Sequence, residues 1–356
     1  MSTIWGSHQN SSSFLFYLIY LIGDTMLIMT KSSLATMISF FISITIGIVL
    51  IPILKRKKQE QIINEYLLKE HKNKKETPTM GGIIFIVATL MSIILLFFMN
   101  KIKMSYNLMT ILWTFISYGL IGYLDDFLII KNKNNKGLKY TEKLLLQIIV
   151  AIVFFYLFMK GENEPLLWIH TLNIRINIGV FYGFFILFML VAGSNAVNLT
   201  DGLDGLAGGL SVIAFFTFGL ITWNAGWLYG YKDIAIFCFC LVGAILGFLV
   251  FNVNPAKVFM GDTGSLCLGA TLSAVAILTR HELLLIVIGI VFVLETISVI
   301  LQVTYFKLTK GKRIFKMTPI HHDLEKRGMK ERDIVKLFWI IGLIGSMISI
   351  AFGVWI

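Results

Sequence analysis

Residues 235–251 read AIFCFCLVGAILGFLVF, seventeen residues without a charge, an amide or a proline. Wound as an α-helix, such a run is about 25 Å long, close to the ~30 Å thickness of bilayer hydrocarbon. A helix apolar on every side belongs inside a large core or a membrane. Working outward, similar runs cover 33–54, 80–99, 107–124, 144–159, 177–193, 205–222, 264–279, 282–305 and 334–356. The 356-residue chain is 57% hydrophobic and 14% charged, whereas a soluble domain is about a quarter charged. These figures exclude a soluble enzyme, a disordered chain and a collagenous repeat. The expected fold is all-α, a polytopic integral membrane protein of about ten transmembrane helices.

Charge then orients the spans. The connections after spans 1, 3, 5, 7 and 9 carry 23 of the 31 Lys and Arg, and those after spans 2, 4, 6 and 8 carry 6. The positive-inside rule places the first group in the cytoplasm and both termini outside. The net charge of +11 is thereby explained by topology and anionic headgroups, and no nucleic-acid module accompanies it. The first basic residue is Lys31, so the positive n-region of a signal peptide is missing. The apolar stretch Phe14–Thr30 is interrupted by Asp24 and is expected to lie in the interface. Residues 1–32 thus form an N-terminal periplasmic or interfacial segment before one ten-helix domain, 33–356. Cys238, Cys240 and Cys267 all fall in or beside apolar runs and read as small core residues.

Five polar clusters stand out, all on the expected cytoplasmic side: 74–82, Asp125-Asp126, Asn195–Gly209, Asn252–Ser265 and Pro319–Glu325. Asp125 and Asp126 are read as ending span 3, where adjacent carboxylates oppose the helix dipole. Acceptor-only groups at a membrane boundary suit Mg²⁺ or a transferable proton. Asn195, Asn198, Asp201 and Asp204 recur every third residue and form one polar stripe if the segment is helical. Gly202, Gly205 and Gly208 follow the same interval, as a packing seam or a place of close ligand approach. Asp262 opens span 8, where it reads as an N-cap or, beside Asn252, Asn254 and Phe259, as part of a metal or phosphate site. His321 and His322 form the one adjacent histidine pair. His281-Glu282 begins like a zinc-protease motif but lacks the second His, since residue 285 is Leu, and no phosphate loop for ATP occurs. Glu295 and Gln302 lie seven residues apart inside span 9; a function and a helix-to-helix hydrogen bond are equally good accounts of them.

Taken together, TPTMGG (77–82), GYLDD (122–126), NKGL (135–138), NAVNLTDGLDGLA (195–207), VFMGDTGSL (258–266), ETISVILQV (295–303) and PIHH (319–322) resemble the phospho-N-acetylmuramoyl-pentapeptide-transferase family. The motifs run in the family's order from residue 74 onward. The resemblance implies transfer of phospho-N-acetylmuramoyl-pentapeptide from its UDP donor to undecaprenyl phosphate, releasing UMP, with Mg²⁺ as cofactor. It also implies a multi-pass protein of the bacterial cytoplasmic membrane and leaves a homodimer open. In that frame Asp262 is the principal Mg²⁺ ligand, with Asp125 or Asp126 nearby and Asp125 a candidate proton acceptor. Asp201, Asp204, Asn195 and Asn252 orient the nucleotide, and Phe259 stacks on uracil. His321 and His322 bind near the diphosphate. Lys74 contacts the nucleotide, with Lys136 and Lys143 as weaker candidates. Two positions depart from the family: Ile129 stands where a Lys is usual, and Asp323 where a third His is usual. Two other functions remain to be separated from this one. One is a sister transferase for N-acetylglucosamine 1-phosphate. The other is a secondary transporter, against which the one-sided polar clusters and the lack of an inverted repeat both argue.

Overall fold

The computed structural model describes the backbone of residues 6–56, 77–132, 137–169, 174–223, 228 and 230–354, and side chains from residue 29 to 352 with Ile169 excepted. The elements are α1 (Gly6–Arg56), α2 (Gly82–Phe98), α3 (Tyr106–Asn132), α4 (Tyr140–Lys160), strands β1 (Leu166–Ile169) and β2 (Ile174–Asn177), α5 (Tyr182–Thr200), α6 (Leu206–Trp223), α7 (Tyr231–Asn252), α8 (Gly261–Leu278), α9 (Leu284–Ile288), α10 (Ile290–Leu308), α11 (Ile320–Lys326) and α12 (Glu331–Val354). Nine helices among the described residues are long and apolar enough to cross a membrane. With its 17 residues, α2 falls at the lower end of the spanning range. In hydrocarbon a helix is the one local solution that pairs every backbone group within its own segment.

The bundle is centred on α7 and α8. In their apolar windows 83% and 89% of residues are buried, against 28% in α4, α5 and α10. Small residues and hydroxyls bring the central backbones together, as expected where lipid offers no hydrophobic drive. On the α1–α7 seam, Ser43 Oγ donates to Ala244 O at 2.7 Å and Thr36 Oγ1 to Phe239 O at 3.0 Å. Ser273 Oγ of α8 donates to Met189 O of α5 at 2.8 Å. Gly122 of α3 lies against the backbone of Asp262, so close that a Cβ at residue 122 would collide with the Asp262 carbonyl. Cys238, Cys240 and Cys267 are free and buried in this core.

Several boundaries differ from the sequence reading. Helix α3 continues to Asn132, so Asp125 and Asp126 are interior to it and do not end it; the helix-dipole argument does not apply to them. Helix α5 stops at Thr200, which divides the expected polar stripe: Asn195 and Asn198 are helical, Asp201 caps the helix, and Asp204 lies in the following turn. The ninth span bends at Gly289 into α9 and α10. The backbone of 6–30 is helical and continuous with the first span. Between α4 and α5 the connection folds into an antiparallel hairpin, with Leu166 opposite Asn177 and Trp168 opposite Arg175.

Candidate active site

The five polar clusters meet at one end of the bundle. Backbone pairing joins the first to the fourth: Phe259 N donates to Pro78 O at 2.8 Å, Gly81 N to Phe259 O at 2.8 Å and Gly82 N to Met260 O at 2.9 Å. This pairing fixes the entry to α8, whose first turn carries Asp262. Gly261, at φ +73°, supplies the left-handed residue that turns the chain into the helix.

Asp126 caps that helix from outside. Its Oδ1 accepts from Asp262 N at 3.1 Å, and its Oδ2 accepts from Thr263 N at 2.9 Å and Thr263 Oγ1 at 2.6 Å. A carboxylate from α3 thus satisfies free N–H groups at the positive end of the α8 dipole. This arrangement accounts for an Asp inside a spanning helix and leaves Asp126 with little capacity for a ligand.

Asp262 and Asp125 face one another within hydrogen-bonding reach. Lys143 Nζ lies 3.3 Å from Asp262 Oδ2 and 3.7 Å from Asp125 Oδ2. Asp125 Oδ1 accepts from Leu138 N at 2.7 Å, so the Asn-Lys-Gly-Leu segment closes over it. Asn198 Nδ2 donates to Asp262 Oδ1 at 2.8 Å and to Ser265 Oγ at 2.9 Å. Asp201 completes the group. Burial first, then the carboxylates of Asp262, Asp126 and Asp204, push its carboxyl up to about 8, and the Gly261 N–H partly offsets this. Four carboxyl groups share one ammonium in a poorly solvated space, and ionising all of them would leave surplus negative charge.

That surplus fits a hard divalent cation. Asp262 and Asp125 converge, and Mg²⁺ commonly takes one or two carboxylates and completes its shell with water and phosphate oxygens. Among the described residues no group of three or more His, Cys, Asp or Glu side chains forms a metal cage. Asp262 and Asp125 are thus a two-carboxylate donor set, of the size Mg²⁺ commonly takes from protein.

Other expected site residues serve the loops. Asp204 Oδ2 accepts from Asn254 Nδ2 at 3.1 Å and Ala256 N at 3.0 Å. Glu331, the first residue of α12, accepts from Asp204 N at 2.8 Å and from Asn254 Nδ2 at 3.0 Å. Asn252 Oδ1 accepts from Gly205 N at 3.1 Å, and its Nδ2 donates to Val258 O at 3.0 Å. Asp204 and Asn252 thus brace the 201–205 turn against the 252–260 loop. Asn195 is exposed and donates back to Val191 O of its own helix at 2.8 Å. Phe259 is half-buried beside Pro78–Gly82. His321 is buried, and its ring centroid is 4.1 Å from that of His322. His322 Nδ1 is 2.7 Å from Glu325 Oε2. Lys74 and Lys136 lie outside the described residues.

The two departures have local explanations. Ile129 leaves α3 without a cation one turn past Asp125, and Lys143 of α4 stands between the carboxylates. Asp323 is buried; it accepts from Lys316 N at 2.8 Å and Arg327 Nε at 2.6 Å and so ties the basic loop to α11. Asn198, Thr263 and Glu331 were absent from the expected set. The three-residue spacing flagged Asn198. Only the trans cap by Asp126 gives Thr263 a role, and sequence offers no sign of that cap.

Two family models and several relatives match the chain. The model for Glycosyl transferase family 4 matches residues 108–280, and that for phospho-N-acetylmuramoyl-pentapeptide-transferase signature 1 matches residues 74–86. The phospho-N-acetylmuramoyl-pentapeptide-transferase of Geobacillus sp. (strain WCH70) is 47% identical over 323 residues, covering 91% of this chain and 98% of the relative. The protein of the same name from Listeria welshimeri serovar 6b is 49% identical over 311 residues, covering 87% and 94% respectively.

Proposed function

Since the chain belongs to the phospho-N-acetylmuramoyl-pentapeptide-transferase family, we propose that the carboxylate centre between α3, α4, α5 and α8 carries out that family's transfer. UDP-N-acetylmuramoyl-pentapeptide gives its phospho-sugar to undecaprenyl phosphate, UMP leaves, and lipid I forms for peptidoglycan synthesis. The observation that carries this assignment is the Asp125–Lys143–Asp262 contact at the mouth of the most enclosed helix, α8.

In the proposed reaction an oxygen of the lipid phosphate attacks the phosphorus attached to the sugar. The bond from that phosphorus to the bridging oxygen breaks, and UMP departs with the electron pair. The reaction gathers anions, so catalysis is mainly positioning and charge compensation. Mg²⁺ held by Asp262 and Asp125 would supply charge neutralisation for the diphosphate and the leaving UMP. Lys143 adds a fixed cation at the same point. Asn198 holds the Asp262 carboxylate in one orientation, and Asp126 holds the helix turn that bears it. Asp201 and Phe259 line the approach for the nucleotide, and His322 lies toward the diphosphate with the buried His321 behind it. A direct displacement is favoured over a covalent aspartyl intermediate: Asp125 and Asp262 already engage Lys143 and each other, and the acceptor brings its own phosphate nucleophile.

The basic connections fall at the same end of the bundle as the centre, which supports a cytoplasmic active face in the bacterial inner membrane. There a water-soluble donor meets a lipid acceptor. Label transfer from UDP-N-acetylmuramoyl-pentapeptide to undecaprenyl phosphate tests the function, with and without Mg²⁺ and with UDP-N-acetylglucosamine as a parallel donor. Transfer from the acetylglucosamine donor alone would overturn the assignment. Gly311→Cys should react with an impermeant thiol reagent only from the cytoplasm and Glu162→Cys only from outside; the reverse would overturn the orientation.

A further inference from the structure

Glu295 is a fully buried carboxylate in the middle of α10, and the chemistry above gives it no task. An acid placed in a membrane helix costs several kcal/mol unless it is paired, and an aliphatic residue would pack there without that cost. Its partner is His321. Nδ1 of the equally buried imidazole lies 3.1 Å from Glu295 Oε2. Neither ring nitrogen of His321 and neither Glu295 oxygen has a hydrogen bond of full geometry among the described residues, so the pair is an ion-pair contact, and the ring points its opposite nitrogen, Nε2, away from it. That nitrogen is turned onto Gly202, where the Cβ of any other residue would collide with it. The working edge of the ring therefore lies against the turn that begins with Asp201. On its other side His321 packs against the ring of His322, which has its own carboxylate in Glu325. Two adjacent histidines thus have two separate acids, and the deeper pair is sealed from solvent.

A carboxylate 3.1 Å from one imidazole nitrogen favours the proton on that nitrogen, and so biases the orientation of the ring and which nitrogen is left for other work. We propose that Glu295 is a positioning residue for the transfer. It holds His321 with Nδ1–H toward α10 and packs Nε2 against Gly202 of the Asp201 turn, which in the reading above lines the approach for the nucleotide. The assignment rests on the transferase reading given above. It also separates Glu295 from Gln302 on the same helix face: the Gln302 Oε1 accepts from Ile314 N and Phe315 N, each at 3.0 Å, and serves the loop before α11.

The test uses the full chain in detergent with both substrates, comparing E295Q, E295L, H321N and the double variant E295L/H321N. The thermal midpoint and the ¹⁵N-histidine spectrum are recorded beside turnover. E295Q, which keeps an acceptor oxygen for Nδ1–H, should stay within about 10-fold of the unmodified kcat/KM and hold its midpoint and its His321 tautomer. E295L and H321N should each lose about 30- to 100-fold, in the range typical of groups that orient a ligand. The double variant should be no worse than H321N by more than about 2-fold, because the effect of Glu295 passes through the ring. In E295L the His321 nitrogen resonances should shift from the Nδ1–H form. Unchanged turnover in E295L, an equal further loss on top of H321N, or an unaltered tautomer in E295L would each overturn the proposal. If E295L does not fold, a tautomer change in E295Q at full turnover would overturn it instead. Should the unmodified chain form no lipid-linked product from the muramoyl donor, the transferase reading fails, while the tautomer comparison still decides the Glu295–His321 pair.

Discussion

Arg280 and Lys143 are cations held at opposite ends of the same helix bundle, and their surroundings differ in one respect. At the hairpin end, Arg280 donates to Leu166 O at 2.9 Å, to Glu164 O and to Tyr182 Oη at 3.2 Å. The Tyr182 hydroxyl in turn donates to Glu282 Oε1 at 2.7 Å. The guanidinium also lies 5.1 Å from the centre of the Phe158 ring. One cation matches one acid, and the donors close on backbone carbonyls. At the other end, Lys143 is shared by Asp125 and Asp262, with Asp126 and Asp201 close behind. A balanced and closed set of buried charges holds a fold together. An unbalanced one must take up protons or a counter-ion, and such imbalance marks a candidate site of chemistry.

Asp262→Asn should have the largest effect. It removes the charge on which Lys143, Asn198 and a divalent ion converge, while leaving the Asp126 cap on α8 intact. Turnover should fall by at least about 100-fold, with the thermal midpoint unchanged. Retention of more than a tenth of the rate, a barrier increase under about 1.4 kcal/mol, would mean that the unbalanced end is not the catalytic one.

Arg280→Met should do the reverse. Its loss strands two carbonyls of the hairpin approach and leaves Glu282 without a counter-charge, at about 3 kcal/mol of stability. Turnover per folded molecule should not change. A variant of normal stability with impaired turnover would erase the distinction between the two ends.

Lys143→Gln sharpens the comparison from the other side. It deepens the surplus of negative charge without touching the α8 cap, so turnover should fall about 30-fold by loss of a fixed charge near the reacting phosphates. A measurement of kcat at saturating Mg²⁺ decides this. Full activity under those conditions would show that Lys143 merely fills the space of the ion.

The two ends were also unequally legible. Span positions followed from apolar runs alone, because bilayer thickness imposes a length on each helix. Convergence of the five clusters was readable from their common side. What the sequence hid was the assignment of tasks among like residues. Asp126 and Asp125 are neighbours, yet one caps a helix in trans and the other meets Lys143; that division depends on how α3 faces α8 across Gly122. Asp204 and Asn252 sit in conspicuous motifs but brace loops, because Glu331, 127 residues away from Asp204, supplies the third side of their network. The hairpin-end cluster went unread for a related reason: Tyr182 comes from the first turn of α5, whereas Arg280 and Glu282 come from the connection between α8 and α9.

The smallest expected effect concerns pH and belongs to the balanced end. Burial is the main cause that pushes the Glu282 carboxyl up to about 7; the Tyr182 hydroxyl, its own backbone N–H and Arg280 partly offset it. The unfolded value is the ordinary 4.5. A carboxyl whose folded pKa is raised binds protons more tightly in the native state. Its stabilising contribution is therefore complete below about 4.5 and is lost as pH rises toward about 7. Between pH 6 and pH 8 the loss is roughly 1 kcal/mol, a shift of a couple of degrees in the midpoint for a chain of this size. Thermal unfolding in detergent at pH 6, 7 and 8 should show this decline, and Glu282→Gln, neutral at every pH, should lessen it by that amount and leave the part carried by the raised Asp201 carboxyl. A midpoint that rises with pH in the unmodified chain and is unaffected by the substitution would mean that Glu282 is fully ionised against Arg280. The hairpin end would then be held by a permanent ion pair and not by a proton.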